Sequence, residues 1–220
     1  MIATDPVTTR AERHAMVSSQ LRPNAVTDER VIAAMASIPR EDFLPPEARA
    51  LAYRDRSIPV GRARAANPPL ATARLLNEAE LTPGDHVLLI AAAGGYTAAL
   101  LAGVVAAVTA VESDPTLAAL AREALAGVPN VALVDAPLTA GHPAGAPYDL
   151  LFVDGAVEDL PAALVDQVRT GGRVVTGLLD RGVMRLAAGR KTAGGFGLQA
   201  FADAECVALP GFARPQGFRF

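Results

Sequence analysis

Cysteine is almost absent from this 220-residue sequence, which contains Cys206 alone. A single cysteine excludes an intramolecular disulfide and a metal cluster built from several cysteines. It is typical of a reducing compartment, so we expect a cytoplasmic location. Lysine is equally scarce: Lys191 is the only lysine, whereas arginine is abundant. We attribute this bias to GC-rich coding rather than to a phosphate-binding surface.

The sequence also lacks a charge excess and a long apolar run. It has 20 Lys and Arg against 23 Asp and Glu, a net charge of −3. This near-balance favours neither a nucleic-acid partner nor an anionic membrane partner. No apolar run approaches the ~20 residues that a membrane span requires. The N-terminal stretch "MIATDPVTTRAERHAM" has no apolar core of the kind found in a signal peptide.

Several catalytic and metal-binding patterns are missing as well. There is no G-x-S-x-G nucleophile motif and no G-x-x-x-x-G-K phosphate loop. The three histidines are His14, His86 and His142, and nothing in the sequence places two of them together. We therefore expect no metal site.

The residues that are present predict a folded α/β protein. Apolar residues make up 51% of the chain, enough for a sizeable core. We predict a single domain over residues 1–220. Residues 9–82 form its helical, substrate-side extension, and residues 83–220 form its α/β core. In the extension, Thr27 or Asp28 is suited to cap a helix that Pro39 ends, and "NPPLATARLLNEAEL" is again helical.

From residue 85 onward, short apolar runs alternate with helical segments. The runs are "HVLLIA", "AVTAVES", "VALVDA", "YDLLFVDG" and "GRVVTGLL". The segments "TAALLAGVVA", "PTLAALAREALAG" and "LPAALVDQVRTG" separate them as helices. Strands that are apolar on both faces predict a parallel sheet covered on both sides. The fold class is thus a doubly wound, Rossmann-like, mostly parallel sheet. The tail after Gly182 has weaker signals, and "FGLQAFADAECVALPGF" within it is suited to one or two antiparallel strands.

The first strand-to-helix turn of such a sheet faces the ligand crevice. Here that turn reads "AAAGGY", with alanines at 91–93 and glycine only at Gly94 and Gly95. Glycine lets the backbone approach a ligand closely, and the helix that follows presents free N–H groups. The turn is therefore a cofactor loop or a packed turn, and the motif alone does not decide between them.

Three acidic residues strengthen the ligand interpretation. Glu112 ends the second core strand, where a carboxylate accepts hydrogen bonds from both hydroxyls of a ribose. Asp135 ends the third strand, where it suits an adenine amino group beside the backbone N–H of Ala136. Asp154 ends the fourth strand. We predict that these three acids line one crevice, whereas Asp114, directly before Pro115, is predicted to cap a helix.

The order of these features resembles the protein-L-isoaspartate O-methyltransferases, in a divergent bacterial branch. The resemblance is collinear over roughly residues 13–180. It runs through "MVSSQLRPNAVTDERVIAAMASIPREDFLPP", "AYRDRSIPVG", "PPLATARLLNEAELTPGDHVLLI" and "PYDLLFVDGAVEDLPAALVDQVRTGGRVV". It implies a seven-stranded methyltransferase sheet with added N-terminal helices. It also implies S-adenosylmethionine as cofactor and a damaged protein or peptide carrying isoaspartate as partner.

By this resemblance Glu112 matches the acid that holds the cofactor ribose, Asp135 the adenine-side acid, and Gly95 the last loop glycine. The predicted cofactor-binding set is Gly94, Gly95, Glu112, Asp135 and Asp154, and the catalytic residues stay unknown.

The chain departs from the family pattern at two places. Leu89, Ala91 and Ala93 stand where the family has an acid and glycines, and Ala65-Ala66-Asn67 replaces a Thr-Ile-Ser stretch whose hydroxyls help to hold the substrate. Three alternatives stay open: a catalytically silent binding protein with this fold, a methyltransferase with a small-molecule substrate and, more remotely, a nicotinamide-dependent reductase.

Overall fold

The computed structural model describes residues 6–61 and 64–214. The helices are α1 Pro6–Met16, α2 Glu29–Ser37, α3 Pro69–Glu78, α4 Tyr96–Ala102, α5 Pro115–Ala124 and α6 Ala162–Val165. The strands are β1 Ile58–Gly61, β2 Arg64–Ala66, β3 His86–Ile90, β4 Ala107–Glu112, β5 Val131–Asp135, β6 Tyr148–Val157, β7 Val168–Asp180, β8 Val183–Arg190 and β9 Gln199–Asp203. The ends of the predicted domain, residues 1–5 and 215–220, lie outside the described residues, as do residues 62 and 63.

Within the described residues, seven strands form one sheet in the order β5-β4-β3-β6-β7-β8-β9. The strands from β5 to β7 run parallel, and β8 and β9 pair antiparallel to them. The prediction of a mostly parallel, doubly wound sheet is confirmed. The strand order reverses between β3 and β6, and ligands of such sheets bind at the carboxyl ends of the strands beside that reversal.

The central strand β3 shows why the sheet is covered on both faces. Val87 and Leu89 belong to one buried apolar cluster, and Leu88 and Ile90 belong to a second. Successive side chains of a strand point to opposite faces, so each cluster lies on its own side of the sheet. All four side chains are fully buried.

The N-terminal helices pack on the sheet as an extension. Asp28 caps α2 by accepting a hydrogen bond from the N–H of Arg30 at 2.9 Å, which confirms one of the two predicted caps. The N–H groups of Thr27 and Asp28 donate to the side-chain oxygen of Asn77 in α3, at 2.8 and 2.9 Å. These contacts hold α2 against α3. The short β1–β2 hairpin forms its own two-stranded sheet.

Three details differ from the sequence-based expectations. The predicted helix "LPAALVDQVRTG" is limited to α6, because β7 begins at Val168. The strand β8 was not predicted, whereas β9 lies within the predicted antiparallel tail. The segment before α3, predicted to be loop, contains β1 and β2. No helix in the described part of the chain is long and apolar enough to cross a membrane.

Candidate active site

The loop between β3 and α4 has backbone conformations that glycine adopts most readily. Ala91 has φ 66° and Ala93 has φ 47°, and Gly95 has φ 97°. For an alanine this left-handed region costs ~1–2 kcal/mol relative to the right-handed one. The N–H groups of Ala91 and Ala92 both donate to the carbonyl of Val111, at 3.0 and 3.1 Å. The loop therefore follows the course of a glycine-rich turn although methyl groups stand at two of its left-handed positions.

Gly94 and Gly95 are explained by packing inside the protein. A Cβ at Gly94 would lie 2.0 Å from the carbonyl oxygen of Phe43, in the turn after α2. A Cβ at Gly95 would lie 2.9 Å from the side chain of Leu125, just beyond α5. Because both positions exclude a side chain for these reasons, a cofactor is not needed to explain either glycine. Their role in cofactor binding stays a prediction.

Glu112 is fully buried at the end of β4 and is surrounded by N–H donors. The guanidinium of Arg64 donates to both of its oxygens, from Nη1 to Oε1 at 2.6 Å and from Nη2 to Oε2 at 2.9 Å. Three backbone N–H groups also donate to the carboxylate, those of Ala93, Ser113 and Asp114, at 2.8 to 2.9 Å. A carboxylate has about four lone-pair sites, so this one is saturated.

Asp135 lies beside Glu112 in the sheet and is paired with it in the strand register. Its side chain is 59% exposed and forms an ion pair with Arg122 of α5. The N–H of Ala136 donates to the carbonyl of Glu112 at 3.3 Å, so this group, predicted to serve an adenine, already has a partner. A cavity of about 420 Å³ opens here. It is lined by Glu112, Ser113, Pro115, Asp135, Ala136 and Pro137.

Asp154 borders a different and much smaller pocket, of about 20 Å³, below the loop at residues 91–94. Its carboxylate accepts hydrogen bonds from the Asn67 amide at 2.6 Å, from the Thr97 hydroxyl at 2.5 Å and from the Thr72 hydroxyl at 3.3 Å. Burial raises the pKa of Asp154 above its ordinary value, and the hydroxyl of Thr97 and the amide of Asn67 oppose that rise. Asp154 thus borders a different pocket from Glu112 and Asp135, and its role in cofactor binding stays a prediction.

Arg40 and Tyr96 form the buried wall of this closed pocket. The guanidinium of Arg40 lies 4.9 Å from the centre of the Tyr96 ring and donates to the carbonyl of Asn67 at 2.6 Å. Its Nε and the Tyr96 hydroxyl have no hydrogen-bond partner among the residues that the structure describes. Burial lowers the pKa of Arg40 and raises that of Tyr96 to about 12, so near neutral pH Tyr96 keeps its proton.

The side chain of Asn67 forms three hydrogen bonds inside the protein. Its Nδ2 donates to Asp154, and its Oδ1 accepts from the N–H of Val207 at 2.7 Å and from the thiol of Cys206 at 3.2 Å. Burial raises the pKa of the Cys206 thiol to about 12. The amide that replaces the family's hydroxyls is thus engaged between β6 and the C-terminal segment.

Asp114 caps α5, as predicted from its position before Pro115. Its carboxylate accepts from the N–H groups of Thr116 and Leu117, at 2.8 and 3.1 Å. The sequence analysis missed Arg64 and Arg40, the two buried arginines of the site. Arg40 lies in a stretch that carries the family resemblance but was given no role there. Arg64 lies in no recognisable motif and reaches Glu112 across 48 residues of chain.

A scan against protein-family models matches residues 11–207 to the family described as protein-L-isoaspartate(D-aspartate) O-methyltransferase. The match begins within α1 and covers α2, α3, the loop and every strand of the main sheet that the structure describes. The chain belongs to the protein-L-isoaspartate O-methyltransferase family.

Curated relatives carry the same family name. The protein-L-isoaspartate O-methyltransferase of Methanoculleus marisnigri is 42% identical over 168 residues, which is 76% of this chain and 76% of the relative. That of Koribacter versatilis is 36% identical over 202 residues, which is 91% of each. The predicted family resemblance is confirmed.

Solved structures support the fold. One protein-L-isoaspartate O-methyltransferase superposes with a TM-score of 0.78 at 23% identity, covering 90% of this chain and 66% of that chain. A Plasmodium falciparum structure described as a member of the same group, in complex with S-adenosyl-L-homocysteine, superposes with a TM-score of 0.75 at 16% identity, covering 90% of this chain and 97% of that chain. The expected methyltransferase fold with added N-terminal helices is confirmed.

Proposed function

We propose that this chain is an S-adenosylmethionine-dependent methyltransferase that methylates the carboxylate of isoaspartyl residues in damaged proteins and peptides. The observation that carries the proposal is the family match over residues 11–207, which spans the helical extension as well as the sheet. The relatives at 36% to 42% identity bear the name of this activity. A cytoplasmic location belongs to the same proposal, and the lone, buried thiol of Cys206 supports it.

The described residues supply a suitable place for the adenosine part of the cofactor. The cavity beside Glu112 and Asp135 lies at the carboxyl ends of β4 and β5, where a parallel sheet of this type binds nucleotides. Glu112 would hold the ribose, and Asp135 would face the adenine. As arranged here, however, Glu112 does not fit a ribose, because Arg64 occupies both of its oxygens. The proposed site therefore requires Arg64 to move.

The reaction requires little acid–base catalysis from the protein. When bound, the cofactor supplies a methyl group on a sulfonium. An isoaspartyl carboxylate is already ionised near neutral pH, so the acceptor needs no general base. Rate acceleration then comes from holding the acceptor oxygen in line with the methyl group, at about 3–3.5 Å. The closed pocket around Arg40 offers a buried positive charge near the loop, and we assign no catalytic residue.

A paired-peptide assay tests this function. Two synthetic peptides of one sequence, one with isoaspartate and one with aspartate at the same position, are incubated with the protein and S-adenosylmethionine. We expect a mass increase of one methyl group on the isoaspartyl peptide only. The Glu112→Gln variant is expected to lose this product, and the exposed Glu29→Gln variant is expected to keep it. Equal methylation of both peptides, or of neither, contradicts the proposal.

A catalytically silent binding protein is the second candidate, and the saturated carboxylate of Glu112 favours it. Titration calorimetry with S-adenosylhomocysteine, combined with the isoaspartyl-peptide assay, distinguishes the two. Micromolar binding with methyl transfer supports the enzyme, whereas binding without transfer to any isoaspartyl peptide supports the silent protein.

The expectations of no nucleic-acid partner and no membrane partner stay predictions.

A further inference from the structure

Arg64 lies where an arginine is unusual, at the start of a short strand outside the main sheet. Its side chain is 5% exposed, and that of Glu112 is not exposed at all. Removing two charges from water is costly, and a buried pair recovers that cost only when the remaining hydrogen-bonding groups are satisfied. Glu112 meets this condition, but the Nε of Arg64 has no partner among the described residues. The pair is therefore well satisfied at the carboxylate and incompletely satisfied at the guanidinium.

The five donors around Glu112 are not equally exchangeable. The N–H groups of Ser113 and Asp114 directly follow Glu112 in the chain, and that of Ala93 belongs to the loop that Val111 holds in place. These three are fixed by the sheet. Only the two donors of Arg64 come from outside it. The hydroxyls of a ribose therefore reach the carboxylate only in place of Arg64.

The hairpin that carries Arg64 also closes the second pocket. Val60 of β1 and Ala65 and Ala66 of β2 line the pocket of about 20 Å³ beside the loop. The open cavity of about 420 Å³ is lined by Glu112 itself. The β1–β2 hairpin therefore contributes both the partner of Glu112 and part of the wall of the smaller pocket. β1 and β2 pair only with each other, and the buried side chains of Ile58 and Val60 hold them against the core.

We propose that Arg64 is an internal competitor for Glu112, and that the ribose of an adenosyl ligand binds only after the guanidinium of Arg64 has left the carboxylate. This inference rests on the proposed function, because it takes the adenosyl cofactor as the ligand. Part of the binding free energy is spent on opening the Arg64–Glu112 pair, so the apparent affinity is lower than that of the opened site. The affinity for the cofactor therefore depends on the position of the Arg64 side chain.

The test compares S-adenosylhomocysteine affinities by titration calorimetry in wild type, Arg64→Gln and Arg22→Gln. Arg22 pairs with Glu29 on the exposed surface, so its variant removes the same charge far from the cleft. We expect Arg64→Gln to lower the Kd by about tenfold or more, since the ligand no longer displaces an ion pair. Arg22→Gln is expected to leave the Kd unchanged. Arg64→Lys keeps the charge but loses the two-point geometry, so its Kd is expected to lie between those of wild type and Arg64→Gln.

Adenosine and 2′,3′-dideoxyadenosine locate the competition at the ribose. Adenosine is expected to gain affinity in Arg64→Gln as S-adenosylhomocysteine does, whereas the nucleoside without ribose hydroxyls is expected to gain much less. If wild type and both Arg64 variants bind S-adenosylhomocysteine equally, Arg64 is only a structural partner, the inference is wrong, and the proposed function stands. If none of them binds, the cofactor assignment fails and the inference fails with it.

Discussion

Arg64 of β2 and Glu112 of β4 form a buried ion pair through two parallel hydrogen bonds, at the point where a cofactor ribose is expected. The pair joins the N-terminal extension to the sheet. While Arg64 is in place, the carboxylate of Glu112 has no free lone pair. A ribose can therefore bind Glu112 only after Arg64 has moved.

The energetics of this pair can be measured without any ligand. Arg64→Leu leaves the carboxylate of Glu112 buried with only backbone donors, so we expect the free energy of unfolding to fall by about 3 kcal/mol. Adding Glu112→Gln removes the uncompensated charge while keeping an acceptor for the backbone. The double variant is therefore expected to be more stable than Arg64→Leu alone, by about 1 kcal/mol. Urea denaturation measures both differences, and strictly additive losses would contradict the ion-pair account.

The left-handed alanines of the loop give a second prediction. Ala91→Gly together with Ala93→Gly removes two methyl groups beside the proposed cofactor and relieves the unfavourable φ angles. We expect the Kd for S-adenosylhomocysteine in titration calorimetry to fall severalfold, because an overpacking cost of ~1–3 kcal/mol is partly relieved.

Ala25 supplies the matched control, since it has φ 61° at an exposed position outside the cleft. Ala25→Gly is expected to raise the free energy of unfolding by about 1 kcal/mol and to leave the Kd unaltered. An unchanged Kd in the double loop variant would mean that the methyl groups of the loop do not touch the ligand.

Asp154 predicts a pH dependence of stability. Because burial raises its pKa in the folded protein above 3.8, the folded state binds this proton more tightly than the unfolded state does. The stability that Asp154 contributes is therefore greatest at low pH and decreases as pH rises from 3.8 through the folded pKa. In Asp154→Asn this dependence is absent. Urea titrations at pH 4.5 and 7.5 are expected to show the wild type losing stability relative to the variant at the higher pH, and a constant difference would refute this.

The hydrogen bonds of Asn67 predict a loss of stability when its side chain is removed. Asn67→Ala removes hydrogen bonds to Asp154, to Cys206 and to the N–H of Val207, and it leaves buried polar groups unsatisfied. We expect a loss of about 3 kcal/mol in the free energy of unfolding. Asn24→Ala removes an amide hydrogen bond at an exposed site and is expected to cost about 0.5 kcal/mol. Similar losses in both variants would mean that Asn67 does not link β6 to the C-terminal segment.

The sheet could be predicted because the pattern of each strand lies within a short stretch of sequence. The runs that became β3 to β7 are apolar on both faces, and Asp114 before Pro115 is a recognisable helix cap. β8 was missed because Arg185 and Arg190 interrupt its apolar residues. A strand near a sheet edge carries such residues and loses the continuous apolar pattern of a central strand. The limits of the extension at residues 9–82 and of the core at residues 83–220 stay a prediction.

The site was only partly predictable, because its decisive contact is not local. Glu112 and Asp135 were found from their positions at strand ends, and the sheet places them side by side. The role of Arg64 could not be predicted, because a lone arginine before Ala65 and Ala66 is typical of an exposed loop. Its burial depends on how the hairpin packs against β4. Asp154 was assigned to the same crevice from its position in the sequence, but its hydrogen bonds to Asn67, Thr72 and Thr97 hold it in the closed pocket.

The most direct test of the account is a crystal structure of the protein grown with saturating S-adenosylhomocysteine. We expect the two ribose hydroxyls to lie within hydrogen-bonding distance of Glu112, the adenine to lie beside Asp135, and the guanidinium of Arg64 to have left the carboxylate. A structure in which Arg64 still binds both oxygens of Glu112, with the ligand absent or bound elsewhere, would contradict it.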